Sequence, residues 1–208
     1  YLHANQTLSG AISITGDLTI PTGVTVLVDP GTTFTFANTD VMGSGNNAVR
    51  AEIVVAGTLQ AIGTAPSPIV FTASSTDRWY GVRVTPGGAV SLAQARFDKL
   101  LNGIEVNASS GNTTTFTLSN SSLAGPGCLS FTGSAGTSTS TLSGVTLSGC
   151  TSAAVSHAYG TTTITGSVLR DTTGYGISMS GGSVSVDRST IAFHSGYGVY
   201  AECNGSGS

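Results

Sequence analysis

Apolar residues along this chain come in short alternating runs, separated by turns of Gly, Ser, Asn and Asp. Five segments share one spacing, an apolar residue, four others, then a second apolar residue: Leu92 with Phe97, Leu118 with Leu123, Leu142 with Leu147, Ile164 with Leu169, and Val186 with Ile191. Their starts advance by 26, 24, 22 and 22 residues. After each pair comes another short run: Ile104-Glu105-Val106, Leu129-Ser130-Phe131, Val155-Ser156-His157, Ile177-Ser178-Met179 and Val199-Tyr200-Ala201. Alternation of this kind is the period-two mark of a strand with one buried face, and no segment keeps the 3.6-residue period of a helix. A repeat of about 22 residues therefore holds three short strands.

The first half follows the same logic with different turns. Leu18–Ile20, Val24–Val28 and Phe34–Phe36 predict three strands, punctuated by Pro21-Thr22-Gly23 and Asp29-Pro30-Gly31, where fixed and positive φ values suit turns. Ile53–Val55, Leu59–Ile62 and Ile69–Phe71 form a second set, and Trp79–Val84 leads into the regular repeats. The Gly- and Asn-rich stretch 38–47 is expected to protrude as a loop. A sandwich would need hairpins that reverse the chain. Three strands per repeat, with the same residue classes at the same phase, instead let each strand stack on its counterpart one coil earlier. Leu92, Leu118, Leu142, Ile164 and Val186 then form one internal column. Phe97, Leu123, Leu147, Leu169 and Ile191 form another, with steps of about 4.8 Å.

Composition narrows the picture. Charged residues are 8% of the chain and hydrophobic ones 39%, which excludes a highly charged disordered chain. The formal net charge is −3 and the seven Lys and Arg are scattered, so no basic stripe invites nucleic acid. No apolar run approaches the roughly 20 residues of a membrane span. The first residue is Tyr1 rather than Met, as expected of a mature secreted chain or a piece of a longer one. Three cysteines, Cys128, Cys150 and Cys203, show no C-x-x-C spacing. Cys128 and Cys150 fall on successive repeats, where either a bridge or two small buried hydrophobes would fit; Cys203 is expected to be free or to pair outside the segment.

The segment Val184–Tyr200 resembles the repeat of pectin-lyase-like right-handed parallel β-helices, and Thr162–Met179 looks like the same unit. The runs Ile14–Phe36 and Ile53–Phe71, followed by Trp79-Tyr80-Gly81-Val82, are similar to the opening coils of secreted bacterial β-helix surface proteins. The resemblance covers roughly residues 10–201. It implies an all-β right-handed parallel β-helix (β-solenoid) of about seven to eight coils with three short strands per coil. The whole of 1–208 is expected to be one domain, with irregular coils over 10–84, regular coils over 85–201 and a polar tail at 202–208. An extracellular or cell-surface location is implied too. Function is not, because this solenoid hosts lyases, hydrolases, adhesins and fibres alike.

Members that cleave acidic polysaccharides imply clustered carboxylates on adjacent coils of one sheet, often holding Ca²⁺ beside an Arg or Lys base. In the regular coils the positions after the Phe97 column read Asp98-Lys99, Ala124-Gly125, Ser148-Gly149, Arg170-Asp171 and Ala192-Phe193, which places the acids three coils apart. Asp171 and Asp187 each sit beside an arginine, Arg170 and Arg188, as in surface ion pairs. Arg83 and Glu105 are expected to form a cross-strand salt bridge. His3, His157 and His194 share no phase, so neither a metal site nor a cofactor is expected, and no catalytic residue is assigned. Asp77, Arg78 and Arg83 are the first residues to test for catalysis.

A clearer pattern lies on the outward face. Thr115 with Thr117, Thr139 with Thr141, and Thr161 with Thr163, continued by Ser183 with Ser185, repeat on successive coils and resemble the Thr-x-Thr face of solenoid ice-binding proteins. Threonine is also simply a good exposed strand residue. Tyr175 and Tyr197 share a position on adjacent coils, with Tyr159 expected nearby, and suit a sugar platform. The reading is a non-catalytic extracellular β-helix serving as a surface, adhesive or fibre-forming module. Its alternatives are a polysaccharide-binding or polysaccharide-cleaving solenoid and an ice binder. A glycan or other surface ligand is the expected partner. Self-association by end-to-end or edge stacking is expected as well, because Val199-Tyr200-Ala201 runs straight into a polar tail and leaves the last coil open.

Overall fold

The computed structural model describes residues 2–74, 76, 78–134 and 136–202. Asp77, Cys203 and the tail from 203 onward lie outside the described residues. Among those described, three eight-stranded sheets form, every pair parallel. Each strand pairs only with its counterparts one coil before and one coil after, so the chain winds as a parallel β-solenoid of about eight turns with three strands per turn. The first sheet runs through Gln6–Leu8, Thr25–Val28, Thr58–Ile62, Ala89–Ala93, Thr113–Ser119, Thr137–Ser143, Thr161–Thr165 and Ser183–Asp187. Gln6–Leu8 was not expected from the sequence, since a three-residue strand has almost no alternation to read.

The expected columns are continuous. Leu92, Leu118, Leu142, Ile164 and Val186 pair directly across four strand junctions of the first sheet, and the first four are essentially sealed from solvent. On the second sheet Phe97, Leu123, Leu147, Leu169 and Ile191 do the same. This column extends backward through Phe71 and Phe34, so three phenyl rings lie nearly parallel, with centroids 5.0 Å and 4.5 Å apart. Trp79 closes the same end of the core by stacking on Phe36 at 4.1 Å, and its indole N–H donates to the Asp98 carbonyl at 2.9 Å. Buried aromatic rings with satisfied polar edges are among the strongest contributors to a core of this size.

The five-residue spacing between paired apolar positions follows from the corners. Between the first and second sheets each regular coil bends through one left-handed residue: Gln94 (φ 48°), Asn120 (47°), Gly144 (63°), Gly166 (57°) and Arg188 (45°). Such φ values cost a non-glycine residue about 1–2 kcal/mol, so the corner must be held by something. Serine holds it: Ser121 Oγ donates to the Ser119 carbonyl and accepts the Ala95 N–H, and Ser167 Oγ does the same for Thr165 and Val145. The corners at Asn120, Gly166 and Arg188 are thus fastened both to themselves and to the coil before.

Two expectations about side chains resolve differently. Cys128 and Cys150 are joined by a disulfide, with Cα atoms 5.7 Å apart and both residues buried. Arg83 and Glu105 do pair in register but form no salt bridge. Arg83 Nη1 donates to Asn46 Oδ1 at 3.3 Å, while Glu105 accepts from Asn107 Nδ2 at 2.9 Å. A local amide two residues away, on the same face of the strand, competes successfully with a cation on the next coil, whose attraction is weak near water.

One stretch of the interior is polar. Phe131, His157 and Met179 succeed one another in the third sheet, and Phe116, Ser140 and Thr162 in the first. Ser140 Oγ, Thr162 Oγ1 and His157 Nε2 are buried without a hydrogen-bond partner, whereas His157 Nδ1 meets the Gly181 carbonyl at 2.9 Å. Burial pushes His157 below its ordinary 6.5, against the pull of the Gly181 carbonyl, so the folded chain keeps it neutral. The unfolded chain takes up this proton near pH 6.5 and the folded chain only at lower pH, so stability falls as pH drops below 6.5, by up to about 1.4 kcal/mol per pH unit until the folded chain is protonated too. Urea midpoints between pH 7.5 and 5.5 are expected to decline in the wild type and to decline less in His157→Met, which continues the Met179 position; equal slopes would contradict this.

Candidate binding surfaces

A strand points alternate residues outward, and on the first sheet those outward residues are small hydroxyl side chains. Thr115, Thr139, Thr161 and Ser183 align in one column and Thr117, Thr141, Thr163 and Ser185 in the next. Thr113 and Thr137 begin a third. All are exposed. Residues two apart lie about 6.7 Å from one another and successive coils about 4.8 Å, so the six threonines expected to bind make a two-dimensional grid. Phe116, Leu118, Leu142 and Ile164 are buried directly beneath and hold it firm. Toward the earlier coils the grid gives way to Ala89 and Ser91, then to Thr58 and Gln60. The shorter side chains leave a shallow depression between Thr58, Gln60, Thr115 and Thr117.

The aromatic cluster sits on the third sheet near the last coil. Tyr175 and Tyr197 lie 6.1 Å apart with rings nearly parallel, and Tyr200 joins them at 4.9 Å and 6.1 Å. Tyr197 is exposed, Tyr175 half-buried. The Tyr200 hydroxyl donates to Glu202 Oε1 at 3.0 Å, a bond that raises its pKa above the ordinary 10.0. Tyr159 is not part of this group. Its hydroxyl donates to the Gly136 carbonyl at 2.9 Å, fixing a different corner. Sequence reading missed Tyr200 because it stands on the strand Val199–Ala201 in register with Ser178, three residues beyond the position shared by Tyr175 and Tyr197.

The exposed acids behave as expected: Arg170 pairs with Asp171 at 3.0 Å and Arg188 with Asp187 at 2.8 Å. A different acidic pair, in the early coils, did not figure in the sequence reading. Leu18 pairs with Ile53, which sets the preceding residues, Asp17 and Glu52, side by side on the outer face of the third sheet. Both are nevertheless buried, at 7% and 0% exposure, because the loop of residues 37–51 roofs them. Asp17 Oδ1 accepts the Glu52 N–H at 3.1 Å and Oδ2 accepts the Ser44 hydroxyl at 2.7 Å. Glu52 Oε1 accepts the Asn46 N–H, while Glu52 Oε2 is buried with no partner. Burial first, and the Asp17 carboxylate as well, push Glu52 above the ordinary 4.5, against the Asn46 N–H, which favours the anion. The signal in the sequence was a charged residue opening the otherwise apolar run Ile53–Val55, next to a loop of Asp, Asn, Ser and Gly.

Among the described residues no group of three or more His, Cys, Asp or Glu side chains is arranged to hold a metal ion, and no helix is long and apolar enough to cross a membrane. By its fold the chain is a three-sheet parallel β-solenoid with a threonine grid on one outer face. No family model, curated protein or solved structure matches it.

Proposed function

We propose that the chain is a non-catalytic extracellular surface module, of the pectin-lyase-like β-helix kind, that adheres to glycan through the outer face of its first sheet. The supporting observation is the threonine grid: three successive strands carry Thr at both outward positions in register. A polysaccharide presents hydroxyl groups at regular intervals along its length. A rigid lattice of hydroxyls meets such a polymer with many weak contacts made at once, and their joint effect exceeds any one of them. The buried disulfide fits an oxidising compartment outside the cytosol.

Retention on insoluble cellulose, chitin and bacterial cell-wall material tests the reading. Thr139→Lys with Thr141→Lys breaks the plane at its centre while leaving the buried column untouched, so far-UV circular dichroism should be unchanged and retention should drop at least about tenfold. Wild-type protein that is retained on none of the three, or a variant retained equally well, would sink the glycan reading. A second reading is favoured by the same grid, since Thr supplies a methyl and a hydroxyl at each node: contact with ice. Thermal hysteresis that the wild type shows and the variant lacks would put ice in place of glycan.

A further inference from the structure

We propose that Asp17 and Glu52, together with Ser44 and the backbone of the 37–51 loop, form a structural divalent-cation site, with Ca²⁺ as the fitting ion, that pins this loop to the outer face of the third sheet. The site lies on a different sheet from the threonine grid and stands or falls separately from the glycan reading.

Register brings the two carboxylates together, one coil apart on the same face. The loop then closes over them at very short range. A Cβ on Gly45 would sit 2.5 Å from Asp17 Oδ2 and nearer still to Glu52 Oε1. Gly45 has φ +71°, so both its backbone conformation and the lack of a side chain let the main chain approach the carboxylates. Asp40 shapes the approach by accepting the N–H groups of Met42 and Ser44, each at 2.8 Å. Two adjacent carboxylates beneath such a lid repel one another, and one oxygen, Glu52 Oε2, has nothing to accept from. An unpaired buried carboxylate oxygen is costly.

What would relieve it? A proton shared between the two carboxyls would remove one of the two charges and leave the other under the lid. Arg83 attracts Glu52, but its Nη1 is directed to Asn46 Oδ1 and its Nε is buried without a partner, so the guanidinium does not close on Oε2. A divalent cation would neutralise both carboxylates at once and give Oε2 a partner, and the donor set selects which. The side-chain oxygens here are carboxylate and hydroxyl, with no imidazole or thiolate to favour zinc. Ca²⁺ takes 6–8 oxygens in irregular geometry and accepts neutral ones, so two carboxylates suffice to anchor it, whereas Mg²⁺ demands a near-ideal octahedron. Both carboxylates are covered, so an ion here orders the loop and does not meet a polymer.

Tb³⁺ serves as the luminescent probe, because Tyr80 accepts a hydrogen bond from Asn46 Nδ2 at 2.9 Å and stands close enough to sensitise it. Sensitised emission from the whole chain, displaced by Ca²⁺, and a melting temperature several degrees higher in millimolar CaCl₂ than in EGTA are the expected results. Glu52→Gln keeps the acceptor for Asn46 and nearly the same volume. It should weaken Tb³⁺ binding at least tenfold, abolish the Ca²⁺-dependent rise in melting temperature and leave the protein folded in EGTA; Asp17→Asn should act alike, and Asp187→Asn, in an exposed ion pair, should behave as wild type. No emission and no Ca²⁺ shift in the wild type up to about 10 mM, beyond the weak end of extracellular sites, overturns the proposal, as does a Glu52→Gln protein that binds as the wild type does.

Discussion

Replacing Phe71 with alanine is expected to remove about 3–5 kcal/mol of stability. The ring is fully buried on the second sheet, between Phe34 at 5.0 Å and Phe97 at 4.5 Å, all three nearly parallel. In a compact globule, neighbours from several directions can slump into such a hole. A solenoid has less freedom, because the rings above and below belong to strands whose register is fixed by their own hydrogen bonds to the Phe71 strand. The cavity therefore stays open, and its cost sits near the top of the range. Phe71→Leu, which fills most of the space, should lose much less. Trp79 is the sole tryptophan and stacks on Phe36 at 4.1 Å within the same end of the core, so its fluorescence reports unfolding there in urea. A loss below about 1 kcal/mol would mean that the aromatic column is not the structural unit described here. Coils contact only their neighbours, so fluorescence and far-UV circular dichroism should separate in the variant, with the early coils melting first.

How far the sequence revealed this depends on how regular each coil is. Leu118, Leu142 and Ile164 could be aligned from spacing alone because every coil between them is built from the same three strands and the same corners, and a fixed period forces equivalent residues into one column. The threonine grid was legible for the same reason: outward positions inherit the register of the inward ones. The Asp17–Glu52 pair was not legible, although its two members are as well aligned as any column. The loop at 37–51 separates Leu18 from Ile53 by much more than one regular repeat, and spacing cannot align residues across an insertion whose length follows no rule. Arg83 and Glu105 show the opposite limit. Their alignment was read correctly, but alignment decides only who is near, and Asn46 from the 37–51 loop and Asn107 on the Glu105 strand decided who bonds. The left-handed corner at Gln94, Asn120 and Arg188 escaped notice because nothing in those side chains demands it; Ser121 and Ser189, one residue after Asn120 and Arg188, supply the compensation there, and Ser121 also holds the Ala95 N–H next to Gln94.

Opening the Cys128–Cys150 bridge is expected to cost about 3 kcal/mol, the chain-entropy value for a closed loop of this size. The two residues are 22 apart in sequence and stand on neighbouring coils, so the bridge does in covalent form what the parallel ladders do with hydrogen bonds. Its effect should be concentrated in the unfolded state, which loses the freedom of one full turn of chain. The native state gains little, since Cys128 and Cys150 are already buried and their carbonyls already accept from Ile104 and Thr173. The double variant Cys128→Ala with Cys150→Ala should therefore fold to the same far-UV spectrum, with a lower urea midpoint that dithiothreitol no longer changes, while dithiothreitol lowers the wild-type midpoint to about the same place. Thiol titration of unfolded, unreduced wild type should count at least two thiols fewer than the three of the reduced chain. Three thiols before reduction would show that the bridge does not form, and the support it gives to an extracellular location would go with it. A midpoint insensitive to reduction, with the bridge present, would instead mean that the unfolded chain already keeps these two coils together, so that the bridge removes no further freedom from it.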